Sequence, residues 1–124
     1  MENDHVKDFV RNVLGCGCDE EVFRHIDVER DVAAGDIRLM RRIKVGGRLL
    51  VYVLDADAGT IRQLQSIIKS GMEERDSSSF NRFRLVLLSD DDNVKNAVFK
   101  AFKAIIADDR VHIHVLRKDE AHEI

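Results

Sequence analysis

The chain has 124 residues, 35% of them charged and 44% hydrophobic, with a formal net charge of −3. That length sustains one hydrophobic core without disulfide or metal staples, and the balance excludes a disordered chain. No apolar run reaches the roughly 18 residues of a membrane-spanning helix, and the acidic total argues against a general nucleic-acid binder.

The start, Met1-Glu2-Asn3-Asp4, has neither the basic nor the apolar region of a secretory leader, so a cytoplasmic protein with reduced cysteines is expected. Val6, Phe9, Val10, Val13 and Leu14 then recur at helical spacing, which predicts an amphipathic helix capped by Asn3 or Asp4 and stopped at Gly15. After Cys16-Gly17-Cys18, Asp19 is a good N-cap, and Val22, Phe23 and Ile26 form the apolar face of a short second helix. The polar segment from Asp27 to Gly35 reads as a loop.

Ile37, Leu39, Ile43 and Val45 alternate with Arg38, Met40, Arg42 and Lys44, the pattern of a strand with one wet face. Gly46-Gly47 turns it into a hairpin, and Leu49 to Leu54 is apolar throughout, as in a strand buried on both faces. Ile61, Leu64, Ile67, Ile68 and Met72 mark a helix with Gly71 near its stop, and the polar stretch from Glu73 to Ser79 reads as loop. Phe83 to Leu88 is a second buried strand. Val94, Ala97, Val98, Ala101 and Ile105, with Phe102, predict a helix capped by Asp91 or Asp92. Val111, Ile113 and Val115, alternating with His112, His114 and Leu116, predict the last strand.

The expected order is α-α-β-β-α-β-α-β: an α/β fold with a mixed four-stranded sheet, made of an antiparallel edge hairpin and two right-handed βαβ crossovers. One domain spans 1–124. The N-terminal helix pair occupies 1–27, the sheet with its crossover helices 36–118, and a frayed tail 119–124. If both crossover helices cover one face, only the N-terminal helices are left for the other, giving a three-layer sandwich.

The distinctive chemistry is Cys16-Gly17-Cys18. Two thiolates separated by glycine can point at one metal, zinc or an iron of an iron–sulfur cluster, because glycine lets the backbone fold around the ligands. The competing reading is packing in a helix–helix seam. Cys-x-Cys followed by Val22 and Ile26 resembles the first half of the small two-helix domains of the bacterioferritin-associated ferredoxin type. That resemblance implies an iron–sulfur cluster completed by a Cys-x-x-Cys pair, and this chain has no further cysteine. Completion therefore falls to other ligands or to a second subunit, which makes a homodimer the expected partner. His112 and His114, alternating onto one strand face, are the candidates within the chain and would make a Cys₂His₂ set with Cys16 and Cys18.

Two alternatives are carried. Val51-Tyr52-Val53-Leu54-Asp55-Ala56-Asp57 resembles the first motif of haloacid-dehalogenase-like phosphatases, and Leu85 to Ser89 is similar to their second. The resemblance implies a small Mg²⁺-dependent enzyme with Asp55 as nucleophile and Asp57 as acid/base, although Thr60 lies one residue too far from Asp57. Asp90, Asp91 and Asp92 end the next strand on the same side. N-capping of the two helices is the favoured explanation of both groups. The second alternative is the basic hairpin, Arg38, Arg42 and Lys44 with Arg41 and Arg48, as a ribbon that contacts nucleic-acid phosphates or a protein. Charged edge strands also guard against edge-to-edge pairing.

Overall fold

The computed structural model of the protein describes residues 7–13, 24–34, 37–105 and 110–121. One sheet holds five strands: β1 (Ile26–Ala34), β2 (Ile37–Val45), β3 (Leu49–Asp55), β4 (Arg82–Leu88) and β5 (Val111–Leu116). Their spatial order is their chain order. β1, β2 and β3 pair antiparallel, and β3, β4 and β5 pair parallel. Between β3 and β4 lie the helices α1 (Ala58–Arg62) and α2 (Leu64–Ser77), and α3 (Asp92–Lys103) connects β4 to β5. A π-helical turn, Phe9–Val13, precedes the sheet.

The α/β class and the mixed sheet stand, but among the described residues the sheet has five strands rather than four. Residues 27–34, expected as loop, belong to the edge strand β1, so the strand 37–45 is interior and not an edge. Ile26, expected on a helix, opens β1 opposite Val45. Of the rest of the expected second helix, 19–23 lie outside the described residues.

The core divides into two layers. Leu50, Tyr52, Leu54, Phe83, Leu85 and Leu87 pack against Leu64, Ile67 and Ile68 of α2 and Val98 of α3, so both crossover helices lie on one face. On the other face Ile43, Val45, Val51, Val53 and Val86 meet Phe9 and Val10, the latter fully buried. The central strands β3 and β4 feed side chains to both layers, which is why they read as continuous apolar runs.

The alternation of β2 does not run unbroken. Ile37 and Leu39 pack on the α2 side, yet Ile43 and Val45, of the same parity, pack beneath the N-terminal turn. Successive strand residues keep to alternate faces, so the chain exchanges faces between Leu39 and Ile43. Asp31 of β1, lying between the pairs Arg30–Arg41 and Val32–Leu39, has φ of 54°, a left-handed value at the matching point of the neighbouring strand.

The turn is as expected: Gly46 and Gly47 have φ of 56° and 65°, and the Arg48 N–H closes it on the Val45 carbonyl at 3.0 Å. Gly71 does not end its helix, because α2 continues to Ser77 through residues expected as loop. Its role is close approach. A Cβ built at Gly71 would lie 2.2 Å from Cζ of Phe83, whose ring meets that of Tyr52 edge-on at 4.9 Å.

Candidate functional site

The carboxyl ends of β3 and β4 are tied together where the Ala56 N–H donates to the Leu88 carbonyl at 2.9 Å. Beyond them opens a cleft of about 550 Å³ lined by Asp55, Asp57, Ser89, Asp90, Asp91 and Lys118. Three of its four carboxylates are engaged by backbone. Asp57 caps α1, its Oδ1 accepting from the Thr60 N–H at 2.8 Å; Asp91 caps α3 by accepting from the Asn93 N–H at 2.9 Å. Asp90 Oδ1 accepts from the Lys118 N–H at 3.1 Å, pinning the segment that leaves β5 to the end of β4.

The Thr60 hydroxyl stands 3.0 Å from Asp57 Oδ1 and 2.8 Å from the Asp55 carbonyl, and its single proton serves one of them at a time. The backbone and side-chain bonds from Thr60 hold the Asp57 carboxyl below its usual range. An acid/base residue works best with a pKa near the working pH, so this environment favours the capping carboxylate over the proton donor. Asp55 is exposed at the head of the cleft.

His112 and His114 do share a face. Ile113 and Val115 pack on the side of α2 and α3, while Leu116 packs on the opposite layer, so both histidines face the side that carries Phe9 and Val10. His112 is exposed. His114 is half-buried, and its Nε2 lies 3.1 Å from Nη1 of Arg84 on β4. A guanidinium only donates, so Nε2 is the acceptor and the imidazole proton sits on Nδ1. Burial first, then Arg84 and His112, push the His114 pKa down to about 4. The neighbouring guanidinium opposes a dication at this ring for the same electrostatic reason, and neither nitrogen is open in this arrangement.

The basic hairpin is largely neutralised from within. Arg42 binds Glu29 of β1 and, at 3.3 Å, Glu74 of α2; Lys44 lies 3.2 Å from Glu29, and exposed Arg38 pairs with Asp31 at 2.7 Å. Glu74 also accepts from the Tyr52 hydroxyl, so helix α2 and strands β1, β2 and β3 are joined through one polar cluster. Desolvation and Glu74 raise the Tyr52 pKa, keeping the phenol protonated. Arg42 and Lys44 therefore act as internal ties among β1, β2 and α2.

Cys16 and Cys18 lie outside the described residues. Among the described residues no group of three or more histidine, cysteine, aspartate and glutamate side chains is arranged to hold a metal ion. Comparison with protein-family models, curated proteins and solved structures gives no match for this chain.

Two participants were missed in the sequence. Arg84 is masked by the apolar run around it, although an arginine in a strand buried on both faces must find an acceptor. Glu74 lies in a polar stretch that reads as loop, yet it belongs to α2; the lone Tyr52 in an apolar strand signals that some polar group must meet its hydroxyl.

Proposed function

We propose that the protein is a non-catalytic cytoplasmic α/β module that binds a transition metal, zinc or the iron of an iron–sulfur cluster, through the thiolates of Cys16 and Cys18. The observation that carries this reading is the placement of His112 and His114 on the sheet face that bears Phe9 and Val10. From that turn the chain continues in sequence into Gly15-Cys16-Gly17-Cys18. The hydrogen bond from Arg84 occupies Nε2 of His114, and His112 on the same face is exposed. The acidic cleft supports the same division of labour, since Asp57, Asp90 and Asp91 are used to fasten helix starts and the β5 exit.

The test is elemental analysis of anaerobically purified protein. Zinc or iron in stoichiometric amount in the wild type, lost in Cys16→Ser and Cys18→Ser and retained in His114→Gln, is expected. Protein without metal that also fails to take up added Zn²⁺ or reconstituted cluster would overturn the proposal.

A second reading is favoured by one observation: Asp55 and Asp57 head a cleft at the carboxyl ends of two parallel strands, where ligands of open α/β sheets bind. It makes the protein a Mg²⁺-dependent phosphatase-like enzyme. The lowered pKa of Asp57 weighs against the acid/base half of that chemistry.

A further inference from the structure

The two edges of the sheet are built differently. β1 carries Asp27, Glu29, Arg30 and Asp31, with a left-handed residue at Asp31, features that discourage a further strand. β5, Val-His-Ile-His-Val-Leu, has no charged side chain, proline or left-handed residue, and among the described residues no strand lies beyond it.

Its apolar side chains are also less covered than those of its neighbours. Leu85, Val86 and Leu87 of β4 are fully buried, whereas Ile113, Val115 and Leu116 are only partly so. Phe102 and Ile105 on the overlying α3 segment are likewise partly exposed. An uncharged edge and an incompletely covered apolar margin therefore coincide.

The carbonyls of Arg110 and Leu116 accept from Phe83 and Ser89, toward β4. Backbone polar groups alternate sides along a strand, so Val111, Ile113 and Val115 present theirs outward. These are the residues whose side chains face α2 and α3.

We propose that β5 is the dimerisation edge of this protein, pairing antiparallel with β5 of a second copy about a two-fold axis at Ile113. In that register Ile113 meets its own symmetry mate and Val111 meets Val115, each as a hydrogen-bonded pair, while His112 lies opposite His114. A second copy fits because this single register satisfies the outward groups of both strands at once and brings no like charges into contact. It also extends the apolar layer under α3 across the axis, as an isologous interface requires. The neutral state of His114 near pH 7 is compatible with its place on the seam.

Two measurements on the full chain test it. Sedimentation velocity over a concentration series should show a dimer for the wild type and a monomer for Val115→Lys, with both giving the same far-ultraviolet circular dichroism. In a Cys16→Ser/Cys18→Ser background, the pair His112→Cys and His114→Cys should cross-link covalently to dimer on mild oxidation, because non-hydrogen-bonded antiparallel partners bring their Cα atoms within disulfide reach. A wild type that stays monomeric at every concentration, a folded Val115→Lys variant that stays dimeric, or a dimer that does not cross-link overturns the proposal. If Val115→Lys fails to fold, the cross-link decides. Neither measurement reads metal content, so this assignment and the thiolate site stand or fall separately.

Discussion

Arg84 and His114 are joined across neighbouring parallel strands, Nη1 to Nε2 at 3.1 Å, with the histidine as acceptor. This places a charge-dependent contact in the second core layer. In the folded chain the imidazole takes up a proton only near pH 4, against an ordinary value of 6.5.

Stability should therefore depend on pH in a defined direction. As pH falls below about 6.5 the unfolded chain binds a proton that the folded chain refuses, so stability is full above that value, declines toward pH 4 and levels off below it. After discounting for the partial exposure of the ring, the loss is about 1 kcal/mol. His114→Gln keeps an acceptor for Arg84 but cannot titrate. Urea unfolding midpoints compared across this window should fall more in the wild type than in the variant, and equal slopes would remove His114 as the source.

Gly71→Ala should destabilise the protein although alanine is the better helix former. The new methyl group meets the Phe83 ring at 2.2 Å, and Phe83 is fully buried against Tyr52, so the ring cannot withdraw without repacking. Overpacking of this kind costs about 1–3 kcal/mol. Thermal unfolding measures it; an unchanged or higher midpoint would show that the ring yields freely.

Glu74→Ala should be worse than its position on a polar helix turn suggests. It strands the buried Tyr52 hydroxyl and removes one of the two carboxylates beside Arg42. An unsatisfied buried group of this type costs about 1–3 kcal/mol. Adding Tyr52→Phe should restore part of the loss, and a double-mutant cycle with no coupling would disconnect the two residues.

Asp57→Ala and Asp55→Asn separate fastening from catalysis. Loss of the α1 cap should lower stability in Asp57→Ala. Asp55→Asn should leave stability nearly unchanged, since this side chain is exposed. A Mg²⁺-dependent phosphatase activity in the wild type, abolished by Asp55→Asn, would establish the enzymatic reading in place of the capping one.

The buried strands were legible because an apolar run flanked by turn residues has few alternatives: Leu49 to Leu54 and Phe83 to Leu88 sit where the pattern puts them. β1 was not legible. Charged residues dominate its middle, and the left-handed Asp31 accompanies an exchange of faces in the hairpin, so a strict period of two is absent. Gly71 misled for a different reason. A glycine within a helical pattern marks a stop or a close approach, and only the position of Phe83 distinguishes the two. The histidine pair shares one face as its spacing requires, but Arg84, the residue that determines what His114 can do, lies on a different strand, and its demand for an acceptor does not say which residue meets it.

The sequential order of the sheet has a consequence for how the chain reaches this state. Every strand pairs with the one synthesised before it, so no strand must be inserted between two that are already joined. Each pairing closes only a turn or one crossover, and the entropic cost of closure rises slowly with such lengths. The sheet can therefore be assembled by addition at a single advancing edge, and among the described residues that edge is β5.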